Sequence, residues 1–374
     1  MRTIRATRPE IPSYEDYIKE ISSVWDEGAL TNNGPKVQRY RSQLADHLGT
    51  DNVDVFVNGH SALVTAIKAM DLPEGGEVLT SPFTFVSTTN AIIQCGLTPV
   101  FCDIGENYNI SLSSIERNLT DKSCAIITPH IFGIPCDVKA IDEIAQKHGL
   151  KVIYDAAQAF GTKIGGKSIC QFGDATMFST HAIKVFNSIE GGILVYKDEK
   201  VRDFINLFRN FGISYEDGGD VRICGINAKM NEFQAAMGLL NLVNTDRIIE
   251  KRKTLADHYI ERLSEIDGIT PYAYKEGISY NYAYFPVKID PSVLGISREE
   301  LFEGLKDRGI GTRKLYNVLT CDFSFYKNKG FRRDTEYAQK VTGICLDLPM
   351  YSDLTFDDID YICEMIKECG KGGN

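Results

Sequence analysis

The sequence has no apolar run as long as a membrane span, no block of basic residues and no C-x-x-C pair. Each absence removes a class of protein. Without about twenty consecutive apolar residues, a helix that crosses a bilayer is not expected. The formal charge is −10 with Lys and Arg scattered along the chain, which argues against nucleic acid and against an anionic membrane surface as partners. The segment MRTIRATRPEIPSYEDY lacks the apolar core of a secretory signal, so a cytoplasmic location is expected. The ten cysteines stand singly, most of them in apolar runs such as PVFCDI and GICLDLP, and are expected as buried free thiols in a reducing compartment. The six histidines form no H-x-x-x-H or H-E-x-x-H pair, so no metal site is expected. No G-x-G-x-x-G opens a helix after the first strand, which argues against a Rossmann-type dehydrogenase.

One phosphate-loop pattern is present. GTKIGGKS, residues 161–168, fits G-x-x-x-x-G-K-[ST] letter for letter. A phosphate loop works only when a strand delivers it to the start of a helix, whose free N–H groups and dipole hold the phosphates. Here ICQFGDATMFST follows, reaching another Gly-Asp turn and then an apolar run with no room for that helix. The segment therefore reads as a β-hairpin tip with Lys163 and Lys167 as solvated charges.

With 374 residues, 43% of them hydrophobic, the chain can bury a sizeable core, and its length suggests two domains. Short β-branched runs recur at 53–57, 77–82, 99–104, 125–130, 151–157, 175–180 and 192–197, as expected for buried strands of a mostly parallel sheet. Helical patterns lie between several of them, at SALVTAIKAM, VSTTNAIIQCG and VKAIDEIAQKHG. The alternation predicts a doubly wound α/β domain over residues 1–240. From Met230 one long helical pattern continues to about residue 266 and reads as a connector. Beyond it, a Tyr-rich alternating stretch, a helix at SREELFEGLKDRG, a strand at GICLDLP and a helix from FDDIDYICEMIKE predict a smaller α+β domain over 241–374. There is neither an internal repeat nor a low-complexity linker, so the two are expected to pack tightly.

In an open parallel sheet, ligands sit beyond the carboxyl ends of the strands, where VNGHSAL, SPFTFVST, VIYDAAQAF and FSTHAIKVFNSIEGG all fall. Each has an ordinary reading: NGHSAL as a helix cap, Asp155 as a cap or turn residue, Lys184 as a solvated lysine. Lys184, however, has mostly apolar neighbours in Ala182, Ile183, Val185 and Phe186. A lysine held in a dry pocket is suited to covalent chemistry with a carbonyl.

NGHSAL, SPFTFVST, TPHIFGIPCD, VIYDAAQAFG, FSTHAIKVFNSIEGG and GINAKMNEFQAAMGLLNL occur in the order and spacing of the DegT/StrS group of nucleotide-sugar aminotransferases, which the sequence resembles over nearly its whole length. The resemblance implies the fold of aspartate aminotransferase and the cofactor pyridoxal 5′-phosphate. By position, Lys184 matches the lysine that bonds the cofactor and shuttles the proton, and Asp155 the carboxylate beneath the pyridine nitrogen. Gln158 matches the group at the ring oxygen, and Phe85 the aromatic on the ring face. The phosphate is expected at the amides of Gly59, His60 and Ser61, at the Ser179 hydroxyl, and at Asn227 contributed by a partner subunit of a homodimer.

Three departures stand out. His60 replaces a usual threonine, Ala228-Lys229 a more usual pair, and Ser188-Ile189 precedes Glu190-Gly191-Gly192 where a glycine is common. The implied partners are an amino-acid donor, glutamate in the family, and a nucleotide-linked keto-6-deoxyhexose. HAIKVFNSIEGG is more similar to the subgroup acting at C-4, as in making dTDP-4-amino-4,6-dideoxyglucose, than to the C-3 subgroup, whose lysine segment reads Tyr-Pro-x-Lys. A non-catalytic regulatory homologue of the same fold is expected to lack Lys184, Asp155 or Ser179, all of which are present.

Overall fold

The computed structural model describes residues 2–371. The β-branched runs pair into one seven-stranded sheet. Its strands are β1 (Val53–Phe56), β2 (Glu77–Thr80), β3 (Thr98–Phe101), β4 (Ser123–Pro129), β5 (Lys151–Asp155), β6 (Ala175–Ser179) and β7 (Gly192–Tyr196), in the spatial order β1-β7-β6-β5-β4-β2-β3. Pairing is parallel from β6 through β5, β4 and β2 to β3, and β7 runs antiparallel to both β6 and β1.

Alternate residues of the strands feed two cores. Val53, Val55, Ile126, Val152 and Tyr154 face one side, while Phe56, Ala125, Ile127 and Ile153 face the other. Helix α1 (Tyr14–Ile21) and α2 (Pro35–Leu48) precede the sheet; α3 (Gly59–Ala69) and α4 (Val86–Gln94) cover the second face; α5 (Val138–His148) and α6 (Glu232–Leu242) join α2 on the first. Local chemistry fixes the helix ends. Pro35 opens α2 and Gly49 closes it at φ 70°, while Asp137 caps α5 through the Ala140 N–H at 3.1 Å.

The single long helix expected from Met230 is two helices, α6 and α7 (Thr245–Leu263). The Thr245 hydroxyl donates to the Asn241 carbonyl at 3.0 Å, and the Asn244 N–H closes a tight turn onto the same carbonyl at 3.1 Å. The helical ladder is interrupted there, and α7 turns away to back a second sheet. This sheet is antiparallel, ordered β8 (Ile269–Pro271), β9 (Phe285–Ile289), β10 (Cys345–Leu348). Together with α8 (Arg298–Asp307) and α9 (Phe356–Lys371) it forms a third core around Tyr259, Val287, Leu346 and Ile362. We propose the α6–α7 break as the boundary that the sequence suggests near 240/241. The strand expected at GICLDLP begins only at Cys345, because Gly343 and Ile344 finish the helix Glu336–Ile344.

The chain before α1 lies across the second sheet's helices. Ile4 bridges Ile310, and the Met350 N–H donates to the Ala6 carbonyl at 3.3 Å. Glu10 accepts from the buried Arg252 at 3.3 Å and from Ser352 at 2.7 Å. Of the cysteines, Cys102, Cys136, Cys170, Cys321, Cys345 and Cys363 are buried, Cys95, Cys124 and Cys369 partly so, and Cys224 is exposed. Among the described residues no helix is long and apolar enough to cross a membrane.

Residues 161–168 form the expected hairpin. Lys163 pairs with Ser168 and Ile164 with Lys167, and Gly165 and Gly166 turn at φ 55° and 80°. A short 3₁₀ turn, Ile169–Gln171, follows in place of the helix that a phosphate loop requires. Lys167→Ala is therefore expected to leave thermal stability and nucleotide binding unchanged. ATP binding to the wild type that disappears in this variant, measured by calorimetry, would overturn the hairpin reading.

Candidate active site

The ends of β4, β5 and β6 and the start of α3 enclose a cavity of about 450 Å³ at the carboxyl edge of the large sheet. Asn58, in extended conformation, caps α3 by accepting from the Ser61 N–H at 2.8 Å. The amides of Gly59 and His60 remain without an acceptor among the described residues, whereas that of Ser61, expected to act with them, is taken. The His60 ring turns to α4, donating from Nε2 to Gln94 at 2.9 Å and accepting from Ser87 at Nδ1 at 2.8 Å. Ser179 ends β6 beside this helix start: a Cβ built on Gly59 lies 3.0 Å from Ser179 Cβ. Two free amides, the positive end of α3 and a hydroxyl thus converge, which suits an anion with several oxygens.

Asp155 ends β5 and is buried. Its Oδ2 accepts from the Thr88 hydroxyl at 2.7 Å and its Oδ1 from the Ala157 N–H at 3.1 Å. Burial pushes the carboxyl above the ordinary carboxylate range, while these two bonds and the nearby Lys184 and His60 oppose the shift. Thr88 was not anticipated from the sequence. It stands one helical turn beyond Phe85, so the spacing in TFVST sends Phe85 to the cavity and Thr88 to Asp155. Phe85 is 66% exposed, a flat apolar surface on the cavity wall.

Lys184 lies in the segment joining β6 to β7 and lines the same cavity. Phe186, two residues on, anchors the segment by stacking on Phe160 at 4.4 Å between ring centroids. The expected dry pocket is only half realised: Val185 and Phe186 are buried, but Lys184 is half buried and Ile183 is exposed. Among the described residues, Lys184 Nζ has neither a hydrogen bond nor an ion pair.

Gln158 bridges the two parts of the chain. Its Oε1 accepts from the Phe132 N–H at 2.6 Å and its Nε2 donates to the Tyr316 hydroxyl at 2.5 Å. Ser61 and Asn227 do not line the cavity. Asn227 is exposed and accepts from Lys229 Nζ at 2.9 Å.

Several lining residues carried no signal in the sequence. Arg313 faces the cavity with its Nε and Nη2 on the buried Asp347, at 2.9 and 2.7 Å, and its guanidinium 4.8 Å from the Tyr284 ring centroid. His130 stacks on Tyr154 at 4.5 Å, and burial lowers its pKa to about 3, so it brings no charge. His181 and Glu190 face each other at 3.4 Å on the wall near Lys184. Among the described residues no group of His, Cys, Asp and Glu is arranged to hold a metal ion.

Comparison with known proteins agrees with this geometry. Residues 13–367 match the DegT/DnrJ/EryC1/StrS aminotransferase family. The chain is 37% identical to a dTDP-4-amino-4,6-dideoxy-D-glucose transaminase of Shigella dysenteriae, over 98% of this chain and 99% of that one. It is 36% identical to the Escherichia coli transaminase of the same name, over 98% of each. The solved structure of DesI in the presence of its TDP-sugar product superposes with a TM-score of 0.93 at 28% identity, covering 100% of this chain and 94% of that one. The chain therefore belongs to the DegT/DnrJ/EryC1/StrS aminotransferase family and is an aminotransferase whose cofactor is pyridoxal 5′-phosphate.

Proposed function

We propose that the enzyme moves the amino group of L-glutamate onto C-4 of a nucleotide-linked keto-6-deoxyhexose, converting dTDP-4-keto-6-deoxyglucose into dTDP-4-amino-4,6-dideoxyglucose in the cytoplasm. One observation carries the reading: an unpartnered lysine and a buried carboxylate share a cavity that also holds two free helix amides, an exposed aromatic ring and a fixed glutamine. The choice of C-4 rests on the HAIKVFNSIEGG segment and on the activity named for the Shigella and Escherichia relatives.

The residues fit the cofactor. Gly59 and His60 amides and Ser179 Oγ would hold its phosphate, Phe85 one ring face, and Gln158 the ring oxygen. When bound, pyridoxal 5′-phosphate supplies an electron-withdrawing ring through which the amino group passes from donor to acceptor. Asp155, a carboxylate kept from water, would hold a proton on the ring nitrogen; the Thr88 and Ala157 donors favour its ionised form and aim it. Lys184 Nζ would carry a proton between substrate carbon and cofactor carbon, from the amino-bearing carbon of glutamate onto the cofactor in the first half and from the cofactor onto the former keto carbon of the sugar in the second. The donor leaves as its 2-oxo acid before the sugar reacts, so one cavity serves both.

The active unit in this reading is a homodimer, with Asn227 of each chain reaching the phosphate bound by the other. Its exposure outside the cavity of its own chain supports this, as do exposed Phe211, Tyr215 and Val221 on the same segment.

Lys184→Ala is expected to abolish turnover with an unchanged thermal melt, because covalent attachment and proton transfer are lost together; multiple turnovers by this variant would overturn the mechanism.

Asp155→Asn carries opposite signs for binding and stability. Because burial raises the folded-state pKa, the ionised side chain destabilises the cofactor-free fold at neutral pH, so the variant's melting temperature without cofactor should exceed wild type at pH 7. The gain should shrink as the pH falls through the raised pKa towards about 4, where the wild-type carboxyl binds its proton. Cofactor affinity, titrated by absorbance, should fall in the same variant. Equal melts at pH 7 with unchanged affinity would reduce Asp155 to a turn residue.

Mixing Asn227→Ala with Lys184→Ala chains tests the dimer. A mixed dimer carries both lesions in one site and neither in the other, so random exchange should restore up to about a quarter of wild-type activity. No recovery after confirmed exchange would place Asn227 outside the partner's site.

A further inference from the structure

The segment from Ser188 to Gly192 is held more tightly than its surface position requires. Ile189 has φ 70°, in the left-handed region that a β-branched residue avoids. The Glu190 carbonyl accepts from Ser188 Oγ at 3.0 Å and from Gln234 Nε2 at 2.8 Å. Gln234 is in turn locked by a capping box with Asn231 at the start of α6. A Cβ on Gly191 would fall 2.2 Å from Thr180 Oγ1, so that residue fits only as glycine. Two side chains of this stretch are exposed, Ile189 and Glu190, and of these Glu190 lines the cavity and faces His181.

His181 is itself set. Its N–H donates to Ser179 Oγ at 3.4 Å, and its Nδ1 accepts from the Ile183 N–H at 3.3 Å, which puts the ring proton on Nε2, towards Glu190 Oε1 at 3.4 Å. The side chains are 42% and 52% exposed, and a pair so open to water adds little stability. Backbone strain spent on aiming such a pair points to a ligand.

We propose that Glu190, oriented by His181, recognises a ring hydroxyl of the acceptor sugar and so sets specificity for a hydroxylated ketosugar. One carboxylate oxygen faces His181 Nε2–H, and the other, Oε2, has no partner among the described residues and accepts the hydroxyl hydrogen. An amino-acid donor such as glutamate carries no hydroxyl, so the contact acts in the second half-reaction alone. The inference rests on the proposed ketosugar acceptor.

Single-turnover absorbance on the loaded enzyme separates the two halves. Glu190→Gln, isosteric and exposed, should leave the melting temperature and the glutamate half-reaction within about twofold of wild type. The KM for dTDP-4-keto-6-deoxyglucose in the second half should rise about 10- to 100-fold, the usual weight of a hydrogen bond to a charged group. Calorimetry supplies a readout apart from turnover: dTDP-4-amino-4,6-dideoxyglucose should bind Glu190→Gln more weakly than wild type by the same factor, with dTDP alone unaffected. For His181 as the positioning residue, His181→Ala should show the same KM rise in smaller degree, and His181→Gln, which keeps an N–H donor, should restore it. Loss of both half-reactions in Glu190→Gln, or of neither, overturns the proposal. A wild type that completes the glutamate half-reaction but accepts no nucleotide-linked ketosugar overturns the acceptor reading, and this inference with it.

Discussion

The molecule is organised around a contact that leaves no room for a side chain. A Cβ on Gly192, the first residue of β7, would lie 2.4 Å from the Asn58 carbonyl and 2.9 Å from Gly59 Cα. β7 is the one strand of the large sheet that runs against its neighbours, and it pairs Gly192 with Phe56 on one side and Ser179 on the other. Only because glycine stands there can the start of α3 settle onto the end of β6. That close seating brings the free amides of Gly59 and His60 beside the Ser179 hydroxyl, and the loop preceding Gly192 carries Lys184 to the same spot. Anion site and reactive lysine are thus consequences of one steric allowance.

Two buried carboxylates, Asp155 on the cavity wall and Asp347 behind Arg313, show how the electrostatics are divided. Asp347 is neutralised within the fold: Arg313 holds it through Nε and Nη2, and the Phe285 N–H donates to its other oxygen at 2.9 Å. Asp155 has no ion pair among the described residues and is met only by a hydroxyl and an amide. The first arrangement completes itself; the second is short of one positive charge. In the proposed mechanism the protonated ring nitrogen fills that deficit. A buried carboxylate on a cavity wall without a paired cation is a place where a ligand can supply the charge.

Much of this could be read from the sequence, and the limits have physical causes. Each β-branched run became a strand of the large sheet, since a strand buried on both faces writes itself as local composition. The phosphate-loop pattern could be dismissed from what followed it, and Asp155, Phe85, Gln158, Ser179 and Lys184 share one cavity. What stayed hidden depends on contacts remote in sequence or on competition within a turn. Thr88 matters only because the end of β5 brings Asp155, 67 residues on, within 2.7 Å of it. Arg313 and Tyr316 sit in a stretch without periodicity and are placed by Asp347 and Gln158. The α6–α7 break turns on a threonine hydroxyl competing for a backbone carbonyl, which a helical pattern does not register. Helix α2, rich in charge, buries Tyr40 against Gly238 of α6, a packing that its sequence scarcely advertises.

The crossing of the early chain over the second sheet bears on the order of synthesis. Residues Ile4 to Glu10 leave the ribosome long before Arg252, Ile310, Met350 and Ser352, the groups they bind. The large sheet can assemble as its strands emerge, and the Glu10 carbonyl can then accept from Asn187 Nδ2 at 2.9 Å, but the segment's other partners come only with Arg252, Ile310, Met350 and Ser352. Its docking is then a late, long-range closure, the kind of step that is slow and leaves a nascent chain exposed. The buried Arg252 would remain an unpaired charge until Glu10 arrives. Docking of the two units is thereby tied to this long-range closure, and until it occurs Ile4 to Glu10 would be the stretch most open to proteolysis.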